Sequence, residues 1–160
     1  MYEYRAKVLK IVDGDTVDVD IDLGFGVWLK NERVRIMGID TPESRTSDAT
    51  EKVFGLASKH RLKELLGKDT ILKTQADNSG EDMKGKFGRI LGDFRVYDNK
   101  HDRWAKVTDI LIEEGHAVAY FGGSKEEIQL KHEANRQKLL REGIIAQADY
   151  DAAVKLMEGK

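Results

Sequence analysis

The chain of 160 residues has no cysteine and one proline, and its charges nearly cancel: 27 lysines and arginines stand against 29 aspartates and glutamates, for a formal net charge of -2. Without thiols neither a disulfide framework nor a thiolate metal site can be built, so any metal must take oxygen or imidazole ligands. The four histidines, His60, His101, His116 and His132, are widely spaced and form no HxxxH pair. Each reads as a surface or packing residue, and zinc is not expected. No apolar run reaches the roughly 18 residues of a membrane-spanning helix, so no membrane role is expected. The start, Met1-Tyr2-Glu3-Tyr4-Arg5, lacks the apolar stretch of an export signal. An intracellular, phage- or plasmid-encoded protein is the expectation, with secretion after removal of a leader as the alternative. Charge so close to balance supplies no global pull toward a polyanion, and any such binding must come from a local cluster.

What is present is organised by turns. Residues 3 to 12 are rich in Tyr, Val and Ile and run into Asp13-Gly14-Asp15-Thr16, a hairpin signal. Thr16 to Asp22 alternates with period two, which turns Val17, Val19 and Ile21 inward and leaves Asp18, Asp20 and Asp22 as a solvated acidic face. Asp15 shares the inward parity and therefore needs a partner, since an unpaired buried carboxylate is costly. Residues 13 to 24 are not an EF-hand loop, because Asp18 stands where a glycine is required and Gly24 where a bidentate glutamate is required. Gly24-Phe25-Gly26 predicts a second hairpin, so the first three strands form a meander.

Asp48 with Glu51 predicts a capping box opening a helix that runs to Gly67. A short strand at 70–74, a loop at 76–86 and a strand at 87–97 follow. Helices are predicted around Val107 to Glu114 and from a Ser124 cap to about Arg141, and a last short helix at 147–157. The sum is an α+β protein, mainly β-barrel: a five-stranded barrel of OB type with about three helices over residues 1–143, and a C-terminal extension, 144–160.

The stretch Arg33-Val34-Arg35-Ile36-Met37-Gly38-Ile39-Asp40-Thr41-Pro42-Glu43 carries the chemistry. It reads as an apolar strand with two arginines that stops at an acidic turn, since Pro42 cannot continue a ladder. Arg35 near Asp40 and Glu43 can hold a phosphate and a hard metal ion side by side, as phosphodiester cleavage requires, and a structural ion pair is the plainer reading of the same residues. Arg35 and Asp40 fall on opposite faces of an ideal strand, so a shared site demands a break near Gly38.

Taken in order, Asp13-Gly14-Asp15-Thr16, Arg35 to Ile39 followed by Asp40-Thr41-Pro42-Glu43, and Lys86-Phe87-Gly88-Arg89 resemble the staphylococcal nuclease (thermonuclease) family. The resemblance covers nearly the whole chain, from the first hairpin to the third helix. It implies a Ca2+-dependent phosphodiesterase that hydrolyses DNA and RNA, single strands preferred, to 3'-phosphate products, acting as a monomer. By resemblance Asp15, Asp40 and the Thr41 main-chain oxygen bind Ca2+, and Asp13 supports them from outside. Arg35 and Arg89 grip the phosphate, and Glu43 activates or orients the attacking water. Lys86, Phe87 and Tyr120 occupy substrate-contacting places, with Phe87 where the family usually has tyrosine and Gly122 where it has a second tyrosine after Tyr120. The alternatives are a catalytically silent OB-type module that binds nucleic acid or protein and, more distantly, a carbohydrate-binding barrel resting on Trp28 and Trp104.

Overall fold

The computed structural model describes residues 2–75 and 88–159. Strand β1 (Glu3–Asp13) reverses through Gly14 and Asp15 into β2 (Thr16–Gly24), and β2 reverses at Phe25-Gly26 into β3 (Val27–Ile36). Both pairings are antiparallel, so the expected meander is formed. Register slips lie between Val8 and Lys10 and between Ile11 and Asp13, with two more between β2 and β3. Such bulges coil a sheet enough to let it close on itself.

After β3 the chain breaks at Gly38, whose φ of 84° lies in the left-handed region that glycine enters without steric cost. It continues as the two-residue β4 (Ile39–Asp40) and the helix α1 (Ala49–Leu66). Strand β5 (Asp69–Thr74) pairs with β1, and β6 (Ile90–Asp98) pairs with β5. Strand β6 then closes the barrel by running parallel to β3 through Val34↔Ile90, Arg35↔Leu91 and Ile36↔Gly92. This is the five-stranded α+β barrel expected from the sequence. A further strand, β7 (Arg103–Lys106), extends the sheet beside β6, where the sequence predicts no strand. The helix α2 (Val107–Glu114) follows, then β8 (Val118–Ala119), which pairs with β4 as a separate two-stranded ribbon.

Inward residues of all five barrel strands, among them Val17, Val19, Val34, Ile36, Leu72 and Phe94, pack with Leu62 and Leu66 of α1 and Ile110 and Leu111 of α2 into one core. A second, smaller cluster joins Phe54 of α1, Leu139 of α3 (Lys125–Arg141) and Ile145, with Tyr150 of α4 (Gln147–Glu158) against it. The Phe54 and Tyr150 rings meet edge-on at 5.9 Å. Residues 144–159 thus pack onto α1, and Met157 Sδ accepts from the Ala49 N–H at 3.2 Å at the start of that helix.

Two local expectations are corrected. Asp20 does not belong to a solvated face: it is 8% exposed, and accepts from the Asn31 N–H at 2.8 Å. That N–H, followed by the charge of Lys30, holds its carboxyl below the usual range against the opposing effect of burial. Asp18 is tied to Arg33 at 2.8 Å. At α1, Asp48 caps as predicted, accepting from Thr50 and Glu51 N–H at 3.0 and 3.1 Å. The reciprocal half of the capping box is diverted, because Asp48 N–H donates to Thr46 Oγ1.

Candidate functional site

The β1–β2 turn, the Gly38 break and the start of α1 converge on one rim of the barrel. Ile36 N–H donates to the Asp15 carbonyl at 2.8 Å, which places Arg35 beside the turn. The Arg35 guanidinium lies 3.4 Å from Asp15 Oδ2, donates to the Ile39 carbonyl at 3.0 Å and also bonds the Ile36 carbonyl. Asp15 accepts from Thr16 Oγ1 at 2.9 Å, so the partner that its parity demanded is found. Asp13 accepts from the Ser44 N–H at 3.0 Å and from the Ser44 hydroxyl, tying the first turn to the loop that follows Glu43. A Cβ on Gly14 would lie 3.2 Å from Thr41 Cγ2, so the turn packs directly on Thr41.

The break at Gly38 does what parity required. It ends β3 and starts the β4–β8 ribbon, in which Asp40 sits opposite Val118 and Tyr120 N–H donates to the Gly38 carbonyl at 2.9 Å. Two clefts meet at Tyr120. One, of about 730 Å3, is lined by Arg35, Arg89, Gln75, Tyr120 and Phe121. The other, of about 370 Å3, is lined by Asp40, Thr41, Glu43, Tyr120 and one face of α3. A guanidinium cleft and a carboxylate cleft therefore share a wall.

That α3 face was not foreseen. Lys125, Gln129, His132 and Arg136 recur every three or four residues, so a helix presents them on one side, and all four line the cleft of Asp40 and Glu43. His132 Nε2 lies 2.6 Å from Asp40 Oδ2, with the imidazole side chain 11% exposed and the carboxylate 43%. Arg136 stacks over Phe54 at 5.0 Å. Glu51 also lines this cleft, and burial first, then the charges of Glu43 and Asp48, push its carboxyl up, against the Glu43 N–H and Arg136. The signal available in the sequence was the polar spacing of Lys125 to Arg136 in a helix with few apolar positions; nothing in it said which element that face would meet.

Among the described residues no three His, Asp or Glu side chains converge as an ion-binding group. The oxygen donors near the rim are the Asp15 and Asp40 carboxylates and the Thr41 carbonyl, a set whose chemistry suits a hard cation. The Asp40 carboxylate is 43% exposed, with Oδ2 held by His132.

The family model for staphylococcal nuclease homologues matches residues 33–147, well over half of the chain. The chain belongs to that family. The matched span of this staphylococcal nuclease homologue runs from the end of the meander to the first residue of α4. Among its relatives, Micrococcal nuclease of Shigella flexneri is 28% identical over 144 residues, covering 86% of this chain and 72% of that protein. Protein ParB of Escherichia coli is 28% identical over 144 residues, covering 86% and 71%. Thermonuclease of Staphylococcus intermedius is 31% identical over 84 residues, covering 52% and 44%.

Within this family member, Arg35 and Arg89 share one cleft, Asp40, Thr41 and Glu43 share the adjoining one, and Tyr120 borders both. Asp15 reaches them through Arg35 rather than by lining either cleft. Lys86 and Phe87 lie outside the described residues. Among the described residues no helix is long and apolar enough to cross a membrane.

Proposed function

We propose that this chain is a Ca2+-dependent nuclease that cleaves DNA and RNA, single strands preferred, and leaves 3'-phosphate ends. The observation that carries this reading is the junction at Tyr120, where a cleft holding two guanidiniums opens beside one holding Asp40 and Glu43. A phosphodiester carries a negative charge that repels a hydroxide nucleophile, and a chain of net charge -2 must offset it locally. Arg35 and Arg89 do so with planar forks that match phosphate oxygens. Arg35 is pre-oriented by the Ile36 and Ile39 carbonyls and by Asp15, so little side-chain freedom is lost when the ester arrives.

Asp15, Asp40 and the Thr41 carbonyl are the residues that would hold Ca2+, whose charge adds to the field at the scissile phosphate when it is bound. Close packing of Gly14 on Thr41 brings two of these donor segments together. His132 holds Asp40 from the α3 wall of the same cleft, and Asp13 steadies the loop through Ser44. Glu43, exposed at the cleft mouth, takes a proton from the attacking water or aligns it. Tyr120, 45% exposed on the shared wall, offers a ring for a base or sugar, with Lys86 and Phe87 as further substrate contacts. Nothing in this scheme needs a second copy of the chain, and a monomer suffices.

The test is incubation of the purified chain with labelled single-stranded DNA in Ca2+, Mg2+ or chelator, followed by end-group analysis. Ca2+-dependent shortening with 3'-phosphate ends is expected, together with losses of several orders of magnitude in Glu43→Ala and Arg89→Ala variants that keep the parent melting curve. The opposing reading, a silent OB-type binding module, has one observation in its favour: Arg35 is already engaged by Asp15 and two carbonyls. Oligonucleotide binding without any shortening in Ca2+ selects it.

A further inference from the structure

The other end of the barrel carries a groove of about 620 Å3 that shares no lining residue with either cleft described above. The chain's two tryptophans, Trp28 and Trp104, both line it, on β3 and β7, and are 40% and 57% exposed. Tyr97 faces Trp104 across the β6–β7 pair, with the rings meeting edge-on at 5.6 Å. Scattered exposed aromatics are common, but three around one concavity present a wide apolar surface to water, and that needs a reason.

Charge accompanies the rings. Arg5, Lys7 and Arg95 line the groove against two carboxylates, Asp22 and Asp69, which makes it locally positive in a chain that is negative overall. The Arg95 guanidinium stacks 4.9 Å over Trp104, and Lys30 Nζ sits 5.4 Å from the Trp28 ring. Interleaved rings and cations are the composition that holds single-stranded nucleic acid without sequence preference, bases stacking on rings while phosphates meet cations.

We propose that this groove is a second nucleic-acid site, which holds a segment of single strand by stacking bases on Trp28 and Trp104 and pairing its phosphates with Arg5, Lys7 and Arg95. A neutral saccharide also stacks on tryptophan, but it makes no use of the excess of cations over carboxylates in the groove. The choice of a polynucleotide as occupant rests on the nuclease reading; the groove itself does not. Bound there, the strand is retained by one end of the barrel while the other acts on it.

Because both tryptophans line the groove, their emission reports it alone. The experiment titrates the full chain with oligothymidylate of about 20 nucleotides in excess chelator and follows tryptophan fluorescence, with fluorescence anisotropy of a labelled strand in parallel. Saturable quenching that weakens with added salt is expected. Trp104→Ala weakens binding roughly 5- to 150-fold, the range given by loss of one stacked base. Arg5→Glu, an exposed change that leaves the core intact, weakens it with an unchanged melting curve and a smaller salt dependence. Neither substitution alters cleavage of a dinucleotide substrate, while KM for a long strand rises. Anisotropy that reports binding with unchanged tryptophan emission overturns the proposal, as does undiminished affinity in both variants. Quenching by a neutral oligosaccharide but not by the oligonucleotide, or by self-association of the protein on dilution series, overturns it too. The chelator arm needs no catalysis, so quenching in a chain that never cleaves leaves the groove standing and removes only the nuclease reading.

Discussion

Gly55 lies inside α1, where helix propensity alone says that alanine is better by about 1 kcal/mol. The tertiary structure reverses that sign. A Cβ at position 55 would lie 2.1 Å from the Glu43 carbonyl oxygen, 2.3 Å from its carbon and 2.6 Å from the Ser44 nitrogen. All three are backbone atoms, so no side chain can rotate away, and relief to a normal separation of about 3.5 Å moves the loop or the helix by more than about 1 Å. Overpacking of this kind costs about 1–3 kcal/mol, which exceeds the propensity gain. Gly55→Ala is therefore expected to lose about 1 kcal/mol net, a fall in Tm of about 2–4 °C for a chain of this size. The displaced segment carries Glu43, and under the proposed role of Glu43 at the attacking water a shift of about 1 Å lowers rate by about 100-fold. Urea unfolding and the initial rate of single-strand cleavage measure the two effects. A variant that is more stable than the parent, with its cleavage rate intact, refutes the packing of α1 on the Glu43 loop as the constraint at this position.

His132→Ala removes the group that holds Asp40 at 2.6 Å, and if the proposed Ca2+ site exists, Ca2+ affinity read by calorimetry is expected to fall about 10-fold, with His132→Asn recovering part of it; equal affinities in all three proteins refute the role. His116 is buried, and burial, aided by Arg61 and Lys138 against Glu114 and Glu64, holds its imidazole below the ordinary value of 6.5. The folded form then refuses a proton that the unfolded chain accepts, so stability is full above that ordinary value and declines as pH falls through it toward the lowered one. Urea unfolding across this window should show a decline that His116→Gln reduces; identical slopes refute it. Removing residues 144–160 uncovers Phe54 and Leu139 and is expected to cost about 3 kcal/mol or more, whereas an unchanged Tm makes the segment a passive appendage.

Much of the fold could be read along the chain because its signals are local. The hairpin at Asp13-Gly14-Asp15, the Asp48 and Ser124 caps and the stop at Gly115 each act within a few residues of where they stand. The same holds for the break at Gly38, which parity alone demanded once Arg35 and Asp40 were asked to serve one rim. Strand β7 was missed because Arg103 to Lys106 has little intrinsic strand character beyond Trp104, and pairing with β6 is what makes it extended. Glu51 does not complete the capping box, because the Asp48 N–H that it would accept from donates to Thr46 Oγ1.

Residue order by itself determined the barrel's strand and helix succession, the family, and the identities of the acidic and guanidinium groups at the rim, since each is written in short stretches of turn chemistry and motif. Tertiary structure alone decided which groups meet across long separations: His132 with Asp40 from 92 positions away, Asp13 with Ser44 from 31, and Trp28 with Trp104 around one groove. The physical reason is that such contacts follow from where whole elements dock once their apolar faces are buried, and no local pattern of side chains carries that information.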